Sequence, residues 1–243
     1  MVVAHRGASA LYPENTLAAF RMAQEAGADA IELDVHETVD GDIVVVHGFE
    51  LGRTTDGAGW VHEVTTDYVR SLDAGSWWST EFANERVPLL TEVLALDGVG
   101  FEIELKGHGK QFVGRVLALV NDHGVLDRVE FTSPHLLVLG ELRRQAPAAR
   151  IGLFARVEPY WTGDVHRHLA VADRAVLDAA VVHVPAAAFN ADWVDVCHAC
   201  GASAYAANAD TVDDIRRVAD DGADQLSTRD PGLAVATLRA AGS

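Results

Sequence analysis

The sequence is poor in cysteine, poor in positive charge and free of long apolar runs, and each scarcity excludes something. It holds 2 cysteines in 243 residues, so no disulfide framework can carry the fold. They stand as CHAC, Cys197 to Cys200. Without a second CxxC this is a weak zinc signal, it lacks the CxxCH order of a haem attachment, and a redox role is the alternative. Two small residues on one helix face is the expectation. Lys and Arg number 19 against 36 Asp and Glu, a formal net charge of −17. That balance argues against a nucleic-acid partner and against stable membrane association, because such partners select basic patches. A small anionic substrate stays open, since a bound metal can reverse the sign at a site. No apolar run is long enough to cross a bilayer, and no secretory leader is visible, so a cytoplasmic protein is expected. The P-loop pattern, the GxSxG nucleophile turn and HExxH are missing as well.

What is present is a full core and a rhythm. Hydrophobic residues make up 49% of the chain, enough for one large domain. Strand-like runs recur at VVAHRG, AIELDV, FEIELK, VEFTS, IGLFA, AVVHVP, SAYAA and DQLST. Helical patterns such as GKQFVGRVLALVNDHG and ADTVDDIRRVADDG lie between them. Strands alternating with helices imply a parallel sheet covered by helices. Eight strands in a chain of this length favour a closed (β/α)8 TIM barrel, with residues 1–243 as one domain. Residues 49–88 break the rhythm: GRTTDGAGW and AGSWWSTEF are rich in Gly, Thr and aromatics. They read as an insertion, in which Trp60, Trp77, Trp78 and Phe82 either build a packed lid or anchor the excursion to the barrel wall.

Side chains alternate faces along a strand, so Glu32 and Asp34 share a face, as do Glu104 and Lys106, with Glu102 one step deeper. Unpaired carboxylates in a barrel interior would each cost several kcal/mol. They must be protonated, paired with cations or bound to a metal. Oxygen ligands from Glu32, Asp34 and Glu104 suit Mg²⁺ or Ca²⁺. The competing arrangement is an ion-pair network with Arg6 and Lys106. VDGD suggests a two-residue turn at Asp40-Gly41, which pairs residue 39 with residue 42 and therefore Asp34 with His47. His47 would then meet the carboxylates about 5 Å from Asp34. His36 shares the face nearer the turn and is expected to be solvent-exposed or a lid contact. At the end of the first strand, His5 and His47 could act as general acid and general base, their pKa raised by the carboxylates. Arg6 offers a forked donor for phosphate. Asn15 or Thr16 can cap the next helix, and Glu14 can pair with Arg6. His62, His108, His123, His135, His166, His168, His183 and His198 show no convincing carboxylate partner in the sequence.

The motifs HRG at 5–7, PENT at 13–16, ELDV at 32–35, VVVH at 44–47, LGRTTDGAG at 51–59, VPLLTEVL at 87–94 and EIELK at 102–106 occur in one order. Together they resemble the glycerophosphodiester phosphodiesterases over nearly the whole chain. The resemblance implies a (β/α)8 barrel with a small insertion, a divalent metal, and hydrolysis of glycerophosphodiesters to glycerol 3-phosphate and an alcohol through a cyclic phosphate. It puts Glu32, Asp34 and Glu104 on the metal, His5 and His47 on acid-base catalysis, and Arg6 and Lys106 on the phosphate; Tyr205 falls at a substrate-pocket position. A related phosphodiesterase acting on lysolipids, or a barrel that binds phosphodiesters without turnover, are the alternatives. Three positions depart from the family's usual residues: Gly48 replaces Asp, Tyr205-Ala206 replaces Trp-Thr, and Arg229 replaces Asp.

Overall fold

The computed structural model describes residues 1–158 and 163–241. Its strands are β1 (Val2–Ala4), β2 (Ala30–Glu37), β3 (Ile43–Val45), β4 (Gly100–Leu105), β5 (Val129–Thr132), β6 (Arg150–Phe154), β7 (Val181–Pro185), β8 (Ser203–Ala207) and β9 (Gln225–Thr228). The order β1-β9-β8-β7-β6-β5-β4-β2 is parallel throughout, and β1 pairs back onto β2, which closes a barrel. Among the strands of the described residues, β3 alone is antiparallel, a hairpin extension of β2. The expected (β/α)8 architecture is therefore present, with all eight sequence-derived strands in their places.

The helices are α1 (Leu17–Glu25), α2 (Thr66–Ser71), α3 (Leu90–Leu94), α4 (Lys110–Asp122), α5 (Leu136–Gln145), α6 (Gly163–Leu177), α7 (Ala191–Ala199), α8 (Val212–Asp220) and α9 (Pro231–Ala241). They cover the outward faces of the strands. Ile31, Leu33, Ile103, Phe131 and Ile151 pack there against Phe20, Phe112 and Leu139 from the helices. This burial holds the inward residues Glu32, Asp34 and Glu104 in the barrel despite their cost. Among the described residues no helix is long and apolar enough to cross a membrane. CHAC lies at the end of α7 with both thiols free and Cys197 buried.

The β2–β3 hairpin differs from expectation. Gly41 N–H donates to Thr38 O at 3.0 Å, and Thr38 N–H donates to Asp42 O at 3.0 Å. The loop thus has three residues, Val39 to Gly41, with Gly41 in the left-handed region at φ 94°. A two-residue turn would need Asp40 there too, whereas a type I turn with a bulge asks this only of glycine. The register moves by one residue: Val35 pairs with Val45, and Val46 N–H bonds Asp34 O at 3.0 Å. Asp34 consequently faces Val46, not His47.

Residues 49–88 form a satellite core, in which Leu51, Val61, Val69, Leu72 and Val87 pack on Val44 and Val46 of the hairpin. Asp73 ties the far part together, accepting backbone N–H bonds from Gly75, Ser76 and Asn84, each at 2.8 Å. The aromatics divide their work. Phe82 packs on Tyr12, with ring centroids 5.1 Å apart, and anchors the excursion. Trp77 and Trp78 stay 40% exposed and stand over the barrel mouth.

Candidate active site

The parallel register β2–β4 sets Glu32 beside Glu102 and Asp34 beside Glu104, two carboxylate pairs stacked along the barrel axis. Ligand oxygens of Glu32, Asp34 and Glu104 lie within 4.8 Å of one another. Two cations enter this cluster. Lys106 Nζ sits 2.5 Å from Glu104 Oε1 and 3.1 Å from Asp34 Oδ1. Arg6 Nε lies 3.3 Å from Asp34 Oδ2, and Arg6 Nη1 bonds Glu14 Oε1 at 3.1 Å. Arg6 itself adopts φ 57°, an uncommon conformation that turns its backbone N–H onto Glu32 Oε2 at 2.8 Å.

Asn15, read from the sequence as a possible cap, belongs to the site. Thr16 is the cap, its hydroxyl accepting from Ala19 N–H at 3.2 Å. Asn15 instead holds φ 57° and donates from Nδ2 to Asp34 Oδ2 at 2.8 Å.

The charges do not balance without help. Burial pushes the Asp34 carboxyl up, but Lys106 and Arg6 outweigh it and hold it at about 2. Burial, then the Asp34 charge, pushes Glu32 well above the usual carboxylate range, and the same two causes raise Glu104. Glu32 Oε1 is buried with no hydrogen-bond partner among the described residues. Oxygen donors this close, with Glu32 Oε1 and Asp34 Oδ1 both lacking a hydrogen bond among the described residues, fit a hard divalent cation. The ion-pair network expected as the competing arrangement is present too: Lys106 and Arg6 sit against Asp34, while Glu32 meets the Arg6 backbone N–H and a weaker pull from the Arg6 charge.

His5 and His47 flank the carboxylates. His5 Nε2 lies 3.9 Å from Glu32 Oε2. His47 reaches the cluster because the chain leaves the ladder beyond Val46, and Asp34 is its strongest charged neighbour. The expected rise in their pKa does not occur. Burial, reinforced by Arg6, takes His5 down to about 4 against the pull of Asp34. Burial lowers His47 as well. Desolvation of the imidazolium is the largest cause at both rings, and Arg6 at His5, with Arg6 and Lys106 at His47, opposes the pull of Asp34.

His36 is neither exposed nor idle. It is buried, its ring meets Phe49 edge-on at 4.9 Å, and its Nε2 lies 3.3 Å from the His47 carbonyl oxygen. It is thus a lid contact that also holds the backbone of His47. Gly48 follows in a tight bend, where a Cβ would stand 2.8 Å from the Glu50 carbonyl oxygen. That close approach accounts for glycine at the position.

The mouth opens into a cavity of about 50 Å³ lined by His5, Glu32, Glu104 and Tyr205. Beside it runs a groove of about 570 Å³ bordered by Arg6, Arg53, Trp77, Trp78 and Arg229. Arg229 Nε bonds Asp210 Oδ2 at 2.8 Å. Tyr205 is buried, and its hydroxyl donates to Glu102 Oε2 at 2.8 Å, so its polar atom faces the barrel interior.

His183 corrects the sequence reading most. No carboxylate partner for it is visible in the sequence, yet it is buried with Nε2 2.7 Å from Glu130 Oε1. His198 likewise has a partner, Asp224 Oδ2 at 2.8 Å. Both partners sit on other strands or their flanks, so no local pattern announces them.

The chain matches the model of the glycerophosphoryl diester phosphodiesterase family over residues 5–233. It is 33% identical to a glycerophosphodiester phosphodiesterase of Caldanaerobacter subterraneus subsp. tengcongensis, covering 100% of this chain and 99% of that one. Among solved structures it resembles a glycerophosphodiester phosphodiesterase from Agrobacterium tumefaciens, with a TM-score of 0.86, 28% identity and 98% of both chains covered. An Oleispira antarctica phosphodiesterase in complex with the product sn-glycerol-3-phosphate also superimposes, with a TM-score of 0.86 and 27% identity over 98% of this chain and 96% of that one. A barrel with these motifs in this order, matched along nearly its whole length, belongs to the glycerophosphoryl diester phosphodiesterase family.

Proposed function

We propose that this chain hydrolyses glycerophosphodiesters to glycerol 3-phosphate and an alcohol, in the cytoplasm. The observation that carries the reading is the meeting of Glu32, Asp34 and Glu104 with His5, His47 and Arg6 at one barrel mouth. Glu32, Asp34 and Glu104 would hold Mg²⁺ or Ca²⁺, which when bound neutralises phosphate oxygens as a Lewis acid. Arg6 and Lys106 add fixed positive charge beside the same oxygens, where it opposes the charge that develops during transfer. One of the two histidines, held neutral with a free ring nitrogen, begins as the base and takes a proton from the glycerol hydroxyl next to the ester. That hydroxyl attacks phosphorus, and the other histidine, entering the step as imidazolium, delivers its proton to the departing alcohol. Water then opens the cyclic phosphate with the two histidines in exchanged roles. His36 keeps His47 in place through the backbone carbonyl, and Glu14 fixes the Arg6 fork. Tyr205 shapes the pocket through its ring rather than its hydroxyl.

The test is release of glycerol 3-phosphate from glycerophosphocholine, with Mg²⁺, Ca²⁺ or EDTA. Activity is expected to vanish in EDTA and return with one of the two ions. His47→Ala is expected to lower kcat by about 10²–10⁴-fold. Full activity in EDTA overturns the metal assignment, and full activity in His47→Ala overturns the acid-base assignment.

A further inference from the structure

One step below the mouth, the barrel interior holds a second cluster of a different chemical kind. Glu102 from β4, Glu130 from β5 and His183 from β7 bring ligand atoms within 4.8 Å of one another. All three are buried, and none of them takes part in the proposed hydrolysis.

The cluster exists because β6, which runs between β5 and β7, carries Gly152 at this level. A Cβ on Gly152 would stand 2.3 Å from His183 Nε2 and 2.4 Å from Glu130 Oε1. Any other residue there would fill the space in which the two side chains meet. The carboxylates are held from behind, as ligands of a metal usually are. Arg150 Nε bonds Glu130 Oε2 at 3.0 Å and leaves Oε1 to the cluster. Tyr205 donates to Glu102 Oε2 at 2.8 Å and leaves its Oε1 to the cluster. Glu102 Oε1 then stands 3.6 Å from His183 Nδ1, beyond hydrogen-bonding distance.

A further donor lies at the same gap. Thr132 follows Glu130 on the inward face of β5 and is fully buried. Its hydroxyl has no hydrogen-bond partner among the described residues. Its methyl carbon would stand 2.9 Å from the same Gly152 Cβ position. A rotation of roughly 120° at χ1 can bring the hydroxyl to the place the methyl holds and point an oxygen into the cluster.

There is also a way in that avoids the mouth. A cavity of about 340 Å³ at the opposite end of the barrel reaches Glu102, Glu130 and Arg150, and Asp29 and Asp127 border it.

The geometry points to a second, deeper cation site at Glu102, Glu130 and His183, one that takes a divalent transition ion such as Zn²⁺ or Mn²⁺. An imidazole with two carboxylates is a borderline donor set that suits such ions, whereas the all-oxygen mouth suits Mg²⁺ or Ca²⁺. Binding replaces the proton that His183 Nε2 shares with Glu130, and that proton leaves to solvent. The ion ties β4, β5 and β7 together beneath the mouth.

The test uses the full chain carrying His198→Ala, which removes the exposed His198–Asp224 pair as a competing ligand. With the mouth saturated by Ca²⁺, equilibrium dialysis against Zn²⁺ is followed by counting bound ions by mass spectrometry. One tightly bound Zn²⁺ per chain is expected, and none in His183→Gln. No bound Zn²⁺, or the same count in His183→Gln, overturns the site. The imidazole ¹⁵N resonances of His183 provide a readout without altering the cluster. They are expected to move on addition of Zn²⁺ with Ca²⁺ still present, and unmoved resonances overturn the site whatever the variant does.

Discussion

At the scale of single residues, Asp34 is the hinge of the site, and what surrounds it was legible only in part. Glu32 follows from strand alternation, a purely local rule, whereas Glu104 comes beside Asp34 through the register of β2 on β4. Asn15 does not follow from a local rule either, because PENT reads locally as a helix start while the Asn15 amide bonds a carboxylate 19 residues away. Asn15→Gly keeps the left-handed backbone and removes that bond. Loss of such an orienting partner is expected to weaken divalent binding about 10–100-fold, read by calorimetric titration with Mg²⁺ or Ca²⁺. His183 escapes a sequence reading for the same reason, since Glu130 lies 53 residues away in the chain. The lowered pKa of His5 is equally hidden, because a sequence displays charges but not solvent exclusion. Burial of its imidazole outweighs the attraction of the nearby carboxylates.

At the scale of elements, the hairpin and the excursion beyond it show how a turn decides a site. The glycine at 41 was visible, but the turn length was not, because one left-handed residue serves a three-residue loop as well as two serve a shorter one. His47 arrives at the carboxylates by leaving the ladder rather than by cross-strand pairing. In the excursion, Asp73 is held below the usual carboxylate range by the backbone N–H groups of Asn84, Ser76 and Gly75. A depressed folded-state pKa contributes stability above the ordinary value, lost as pH falls through the folded one. Wild type is therefore expected to exceed Asp73→Ala in urea stability at pH 6, with the gap closing below about pH 4. On α7, burial pushes the Cys197 thiol up to about 12, while Cys200 is only half-buried. Iodoacetamide at pH 8 is expected to label Cys200 and spare Cys197 in the folded chain, checked by peptide mass mapping.

At the scale of the whole molecule, the barrel concentrates carboxylates in its interior and leaves Glu32 Oε1 without a hydrogen-bond partner among the described residues. A divalent ion binding only the folded state relieves that cost. Saturating Mg²⁺ or Ca²⁺ is expected to stabilise the chain by about 2.7 kcal/mol at 100 times Kd, seen as a rise in Tm that EDTA reverses. The sequence by itself determined the strand and helix alternation, the inward face of Glu32, Asp34 and Glu104, and the family motifs. These are periodicities and neighbours within a few residues, and local backbone geometry enforces them. The tertiary structure alone decided the hairpin register, the bond from Asn15 to Asp34, the lowered histidines, and the layer of Glu102, Glu130 and His183. Each depends on strands distant in the chain closing into one barrel, where side chains that never meet in sequence share a space from which water is excluded.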